Sequence, residues 1–480
     1  MPLIKKKLSP SFKKINSLNK MKKVNIEGIS FIEKRNVSII KSKNNFNLNF
    51  ETQYKESKDI ESVKYKNLKK YTLKHRNTSY FIPNEMSRIA RYSFLTTPTN
   101  KVEIKIDSLY TSKIELDKKY YYRYIIPIDN EENFNHFEHY LITTETNNSG
   151  NLIKIINNKK EIHFYQIKYD NKYYLITETL YKCTFNELEE LAHSTLLSFG
   201  FFSNTFHLDE AYIIPSNRKN FNKPVGLYYK SLRKTISSQY NIFTTNSYSI
   251  LVPISKNMNA INAESRMMDI IEKKWKFRVQ PIKKEVFSEM VSLLSNNEPI
   301  SRATLLLLSS SKLGLELQAG AFCIAFEAIC NFINKAFSNK PKKIINQNDW
   351  KIIKKDLLSI IQTSNLNNDA KKFSINKINN LNQPTNSDKL TESFKAIKYN
   401  LNENEIKVIR DRNLFLHGNL NVKNNEDEID KLFYTSIMLH RLCCTLILKI
   451  CKFDGHIINN IALHSSDINK GYNEWGFKKI

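Results

Sequence analysis

The residues best suited to chemistry in this chain are an arginine and a histidine near its C-terminal end. Arg412 and His417 stand five positions apart. A guanidinium keeps its charge at physiological pH, and an imidazole titrates near neutrality. Such a pair suits cleavage of a phosphodiester, because the arginine can stabilise charge that develops on a phosphate while the histidine takes or gives a proton.

The residues around this pair make the pattern more specific. Asn413 follows the arginine and Gly418 follows the histidine, which gives the string R-N-x-x-x-H-G. This string resembles the RNase motif of HEPN domains, small all-helical modules of toxins, CRISPR-associated RNases and phage-defence proteins. The resemblance implies a metal-independent endoribonuclease in which the ribose 2′-OH attacks the adjacent phosphate, leaving a cyclic phosphate and a 5′-OH. DNA lacks that hydroxyl and should be spared.

Two arginines compete for the catalytic role. Residues seven apart on a helix lie on nearly one face, so Arg410 stacks with His417, whereas Arg412 lies roughly 140° away from it. The family pattern places Asn after the arginine and therefore points to Arg412, and HEPN sites are usually composite, formed where two domains meet. The resemblance thus implies Arg412 and His417 as catalytic residues, Arg410 as a phosphate-holding neighbour, and Asn413 as a residue that orients the backbone or the histidine. A surface arginine with a helix-capping histidine is the alternative.

A single acid stands out on an apolar helix that precedes the motif. Glu327 lies within Phe326-Glu327-Ala328-Ile329. A buried acid requires a partner, because an unpaired charge in an apolar environment is costly. HEPN domains often carry a polar residue on the equivalent helix, so Glu327 is expected to support the arginine and the histidine. The alternative is a glutamate that faces solvent at the edge of its helix.

The composition favours RNA as a partner. The 480 residues include 74 Lys and Arg against 47 Asp and Glu, a net charge of +27 that attracts polyanions. The chain is also rich in Lys, Asn and Ile, as an AT-rich genome would impose, so the charge permits an RNA partner and does not prove one. The six cysteines form no C-x-x-C pair, which predicts buried, reduced thiols in a cytoplasmic protein.

The sequence gives no reason to expect a metal or a cofactor. The histidines of His136-Phe137-Glu138-His139 have no further ligand cluster nearby and are expected at the surface. The sequence contains no P-loop and no Rossmann glycine fingerprint. No apolar run reaches membrane-spanning length: Phe433–Cys451 comes closest and is interrupted by charged and polar side chains, among them His440 and Arg441, which are expected at a surface or interface.

The periodicity of the chain predicts two folded parts after a flexible basic tail, residues 1–23. From 24 to 255, short alternating apolar runs predict a strand-rich α+β domain, with a meander over Leu152–Ile176 and two helices at Pro83–Thr96 and Phe185–Ser198. From 256 to 480, apolar residues at helical spacing predict an all-α bundle of the HEPN type. Within it, Gln362–Asp388 is expected to be a loop with a short helix, and Glu403–Leu416 a helix that Gly418 can end.

The order of these parts resembles ApeA-like abortive-infection proteins. That resemblance implies an anti-phage RNase whose N-terminal domain senses infection and restrains the enzyme. The implied partners are RNA, for example tRNA or another cellular RNA, a second copy bound through the C-terminal domain, and a phage-derived trigger, with no membrane. Two alternatives remain: a non-catalytic RNA- or nucleotide-binding module, and a helical scaffold protein.

Overall fold

The computed structural model describes residues 3–27, 34–53, 71–83, 86–94, 99–243, 281–337, 345–416, 426–464 and 477–480. These residues form two compact units. The first unit holds the described residues up to 243 together with 281–296, and the second holds those from 297 onward. The predicted order, a strand-rich part followed by a helical part, is confirmed.

Two sheets make up most of the first unit. A twelve-stranded sheet has the order β1-β11-β12-β13-β14-β10-β16-β17-β9-β6-β5-β2, and a four-stranded sheet has the order β3-β4-β8-β7. The strands are β1 (Ile4–Lys6), β2 (Asn25–Glu27), β3 (Lys34–Lys41), β4 (Phe46–Gln53), β5 (Tyr71–His75), β6 (Thr78–Ile82), β7 (Ser87–Phe94), β8 (Thr99–Ile106), β9 (Ser108–Thr111), β10 (Tyr121–Ile128), β11 (Tyr140–Thr144), β12 (Ser149–Asn157), β13 (Lys160–Tyr169), β14 (Lys172–Thr179), β15 (Thr205–Phe206), β16 (Glu210–Ser216), β17 (Tyr228–Ser231) and β18 (Ile236–Ser237).

The predicted meander is confirmed as strands β12, β13 and β14. Each pairs with the next in antiparallel register. Asp170 and Asn171, which join β13 to β14, have φ angles of 47° and 60°. Two consecutive residues with positive φ make the tight turn whose twist matches that of the flanking strands, and Asp and Asn tolerate that conformation well.

The large sheet is covered on both faces. On one face, helix α1 (Ser9–Asn19) and the four-stranded sheet share a single hydrophobic core with it. On the other, α2 (Phe185–Ser203) and α3 (Lys284–Asn296) pack through aromatic rings, with the ring centroids of Phe164 and Phe199 5.1 Å apart and those of Phe137 and Phe287 5.2 Å apart. This double cover explains why every residue of β16 is buried.

The N-terminal segment is part of this core, so the predicted flexible tail over 1–23 is wrong. Strand β1 pairs in parallel with β11, and α1 follows it directly. The ring of Phe12 stacks on that of Tyr169 at 4.0 Å. The reason is an amphipathic pattern hidden among lysines, because apolar residues recur every three or four positions and are at most 1% exposed: Leu8, Phe12, Ile15 and Leu18.

Two further expectations for this half differ from the structure. The helix predicted at Pro83–Thr96 is instead strand β7, which pairs with β8. A register shift between Ile89 and Arg91 breaks the strand's alternation once, and this break hid the two-residue period. The sequence predicts that the residues of helix α3 belong to the C-terminal part, but in the structure α3 belongs to the first unit, because its apolar side chains complete the aromatic core. The boundary predicted at 255 and 256 lies outside the described residues.

The second unit is helical. Its helices are α4 (Glu298–Ser310), α5 (Leu315–Ala336), α6 (Gln347–Thr363), α7 (Asn368–Leu381), α8 (Asn386–Ala396), α9 (Glu403–Leu416), α10 (Glu426–Ile450) and α11 (Asn460–His464). Helix α5 packs against α4, α8, α9 and α10. A short sheet of β19 (His456–Ile458) and β20 (Phe477–Lys479) adds the strands described in this unit.

Residues 362–388 hold more helix than expected. Where a loop with a short helix was predicted, α7 runs for 14 residues and α8 begins. The Asn367 side chain accepts a hydrogen bond from the Ala370 backbone and starts α7, and a capping box of Thr385 and Asp388 starts α8. Helix α6 is likewise capped by Asn346, whose side chain accepts from the backbone N–H groups of Asn348 and Asp349.

Candidate functional site

Helix α9, which carries Arg412 and Asn413 of the motif, has the bounds that the sequence predicts. A reciprocal pair of hydrogen bonds fixes its start: the Glu405 backbone N–H donates to Asn402 Oδ1 at 2.8 Å, and the Asn402 backbone N–H donates to Glu405 Oε2 at 2.9 Å. This arrangement satisfies N–H groups that the first helical turn leaves without partners. The buried face of the helix includes Glu405, Ile409 and Arg412.

Arg412 lies almost completely inside the second unit, with 1% of its surface exposed. Its Nε donates to Glu327 Oε1 on α5 at 3.1 Å. Its Nη1 donates to the Ile409 carbonyl at 2.6 Å and to Ser387 Oγ, on α8, at 3.3 Å. The guanidinium therefore joins the motif helix to two neighbouring helices.

Glu327 and Arg412 are brought together as the sequence analysis expected. The carboxylate that pairs with the arginine is 38% exposed, while its partner is 1% exposed. Glu327 thus combines the two alternatives that the sequence left open, the supporting acid and the solvent-facing glutamate. It pairs with a buried cation and also reaches solvent at the edge of α5. Water therefore reaches this ion pair from the Glu327 side only.

The other motif residues are placed less completely. Arg410 is exposed. Hydrogen bonds from Thr385 lower the pKa of the Asp388 carboxyl, and the charge of Arg410 lowers it further, so Arg410 lies near the start of α8. Asn413 is in α9, but its side chain lies outside the described residues. His417 and Gly418 also lie outside the described residues. The structure therefore separates the two arginines, with Arg412 buried in an ion pair and Arg410 free to meet solvent.

A second buried ion pair on the same helix was missed. Glu405 is fully buried, and its Oε1 accepts hydrogen bonds from Arg441 Nη2 at 2.9 Å and Lys478 Nζ at 2.6 Å. Arg441 and His440 are 3% and 4% exposed within the second unit, so the prediction that they lie at a surface or interface is wrong. The capping pattern of Asn402 and Glu405 was the available signal, because an acid three residues after a helix-capping Asn is often held in place.

The remaining candidate groups do not add chemistry to this site. Each of the six cysteines is buried, and none of them forms a disulfide. Burial raises the pKa of Cys323, whose thiol donates to the Arg412 carbonyl, to about 12, so this thiol is a poor nucleophile. His136 and His139 are half-buried and not at the surface as expected, and the described residues include no group of three or more potential metal ligands.

Comparison with known proteins adds no relative, because no family model, no curated protein and no solved structure matches the chain. Two helices of the second unit, α5 and α10, are long and apolar enough to cross a membrane. In α10, 83% of the most apolar window is buried inside the unit, as in the core helix of a soluble protein, against 50% in α5. The other half of that window in α5 is half-buried or exposed, and Ile324 within it is 55% exposed.

Proposed function

We propose that this chain is a metal-independent endoribonuclease of the HEPN type that acts in anti-phage defence. The observation that carries the proposal is the Arg412–Glu327 pair, which joins the helix that carries Arg412 to the central helix of the second unit. A motif arginine that three neighbouring groups orient has the fixed geometry that transition-state stabilisation requires. The resemblance of the motif to HEPN RNases supplies the reaction.

The proposed reaction needs three changes at the RNA backbone. The ribose 2′-oxygen loses its proton and bonds to the adjacent phosphorus, and the bond from phosphorus to the 5′-oxygen breaks as that oxygen gains a proton. Arg412 stabilises the negative charge that develops on the phosphate. His417 exchanges the protons at the 2′ and 5′ oxygens, since an imidazole can take and give a proton near neutral pH.

Partners and regulation follow from the same proposal. RNA, for example tRNA, is the substrate, and the first unit senses a phage-derived trigger and restrains the RNase in the cytoplasm. A second copy completes the site, and the uncovered face of α5 supports that assembly, because Leu317 and Ile324 are 68% and 55% exposed and lie seven residues apart on the helix that carries Glu327.

One observation favours a second candidate function. Arg412 is so deeply buried that it resembles a structural arginine, which is what a non-catalytic RNA-binding module or a helical scaffold would retain. In that case exposed cations such as Arg410 would bind RNA without a contribution from Arg412. Cleavage experiments separate the two functions.

The test is incubation of the purified protein with total cellular RNA, with and without EDTA, followed by analysis of the new ends. Cyclic phosphate and 5′-OH ends that persist in EDTA are expected. His417→Ala should lower the cleavage rate by ~10²–10⁴-fold, because it removes the proton-transfer group. Arg412→Lys should lower it by about 10²–10³-fold, because an ammonium cannot reproduce the planar fork of a guanidinium.

The burial of Arg412 decides which variants are informative. Arg412→Ala would leave a cavity, so Arg412→Lys is preferred, and Arg302→Lys, at an arginine that is 76% exposed on α4, is its matched control. Arg410→Ala should weaken RNA binding more than turnover and make binding less steeply dependent on salt. RNA that is bound but left intact by the wild type would establish the binding module, and absence of any RNA association would establish the scaffold.

A further inference from the structure

The buried arginines Arg123 and Arg412 differ in how much of their acidic partner is exposed to solvent. Arg123, in the first unit, is 2% exposed, and its Nε donates to Glu178 Oε2 at 2.7 Å. Glu178 is itself 3% exposed and also accepts hydrogen bonds from Lys6 and Tyr165. This pair is closed to solvent on both sides. The Arg412–Glu327 pair is closed on the arginine side and open on the acid side, where Glu327 is 38% exposed.

The contacts of Arg412 divide into two kinds. The Ile409 carbonyl and the Ser387 hydroxyl hold Nη1 from within the unit. Glu327 holds Nε, and it is the one carboxylate that pairs with this guanidinium among the residues the structure describes. Loss of the Glu327 contact would leave Nη1 held, so the guanidinium would keep its orientation and lose only its anionic partner.

A phosphate and a carboxylate compete for the same donors. Both accept from the planar fork of a guanidinium through two oxygens, and both are anions. Because Arg412 has almost no exposed surface of its own and its partner is the exposed member of the pair, an incoming phosphate reaches Nε only where the Glu327 carboxylate now lies.

We propose that Glu327 is an internal competitor of the substrate: its carboxylate occupies Arg412 in the free protein, and a phosphodiester of RNA binds by displacing it. This inference rests on the proposed function, in which Arg412 contacts RNA phosphate. It assigns Glu327 a regulatory role, in which the resting site is neutralised until a phosphate with further contacts to the protein replaces the carboxylate. Isolated phosphate, which lacks those contacts, competes poorly with a tethered carboxylate.

The test measures binding separately from cleavage. The probe is a single-stranded RNA oligonucleotide with 2′-O-methyl ribose throughout, which has no 2′-OH to attack, and its affinity is measured by fluorescence anisotropy on the full chain. Glu327→Gln keeps the shape of the side chain and removes its charge, so it should tighten binding by about three- to tenfold. Glu327→Asp, whose shorter side chain weakens the contact, should show a smaller gain.

Two controls make the result specific. Glu316→Gln removes the same charge from an exposed position in the first turn of the same helix and should change affinity by less than about twofold. Arg412→Met replaces the guanidinium by an apolar side chain of similar length, and in that background Glu327→Gln should bring no gain in affinity, because the competitor has lost its target. Far-UV circular dichroism shows whether each variant is folded.

The outcomes separate this inference from the proposed function. Tighter binding by Glu327→Gln in the wild-type background, but not in the Arg412→Met background, supports the proposal that Glu327 competes with RNA. This holds even if unmodified RNA is never cleaved, and in that case the RNase proposal is the one that fails. Equal or weaker binding by a folded Glu327→Gln, or an equal gain in the Arg412→Met background, would overturn the competitor, whether or not the wild type cleaves RNA.

Discussion

At the scale of single residues, the ion pairs of this protein differ in burial: some are closed to solvent on both sides, and one is accessible from its acidic side. The Lys6–Glu178–Arg123 cluster is closed and ties the N-terminal segment to the large sheet. His163 belongs to this cluster, since its Nδ1 lies 2.6 Å from Lys6 Nζ and its Nε2 lies 2.8 Å from Glu161 Oε1. Burial, and then the charge of Lys6, lower the pKa of His163 to about 4.

This shift predicts a pH dependence of stability. The unfolded chain has a histidine pKa of about 6.5, so between pH ~4 and ~6.5 the unfolded state binds more protons than the folded state and the free energy of unfolding falls as the pH falls. From pH ~7.5 to ~5, His163 should account for a loss of about 2 kcal/mol. Urea unfolding of the wild type and of His163→Gln at both pH values measures it.

The variant should lose less stability than the wild type on acidification, because a glutamine amide stays neutral and can still accept from Lys6 and donate to Glu161. His75→Gln, at the end of β5, is the control and should behave as the wild type does. An equal loss of stability in His163→Gln and the wild type would show that protonation of His163 does not oppose folding.

At the scale of elements, helix α5 has two different sides. One side packs against α4, α8, α9 and α10, and the other carries Leu317 and Ile324 toward solvent, with Glu327 at the edge between the two sides. An uncovered apolar stripe beside the candidate site supports the proposed homodimer, because a partner that covered it would also bring its own motif helix close to Glu327.

Ile324→Arg should therefore dissociate the dimer, since it places a charge in the centre of the stripe. Sedimentation velocity measures the change, and Ile352→Arg is the matched control, because Ile352 on α6 is also exposed, at 66%, but lies on another helix. Cleavage should fall together with dimer content. A wild type that sediments strictly as a monomer and still cleaves RNA would exclude the composite site.

At the scale of the whole molecule, the division into two units sets where a functional fragment should begin. The restraint proposed for the first unit predicts that the helical unit alone is more toxic in cells than the full chain. The fragment should begin at 297, because α3 belongs to the first unit, and a fragment beginning at 256 would expose side chains that the aromatic core buries, such as Phe287 and Met290.

Expression of residues 297–480, with and without His417→Ala, tests this restraint by colony counts after induction. Greater toxicity than the full chain, abolished by His417→Ala, is the expected result. A folded fragment that is no more toxic than the full chain would remove the case for a restraining first unit.

The sequence by itself determined the features that depend on neighbours along the chain. They include the bounds of α9, the meander of β12–β14 and the order of strands before helices. Each follows from local periodicity or from turn and capping chemistry, which act over a few residues. The choice of Glu327 depended instead on the resemblance to HEPN domains and on the cost of an unpaired buried acid.

Only the tertiary structure decided which charges are buried and which segments complete a core. In the tertiary structure the N-terminal segment pairs with the large sheet, and α3 belongs to the first unit. Arg441 and Arg412 are buried and pair with acids on other helices. Glu327 and Arg412 are 85 positions apart along the chain. A contact at that separation depends on how helices pack, and a one-dimensional pattern carries no record of which faces meet.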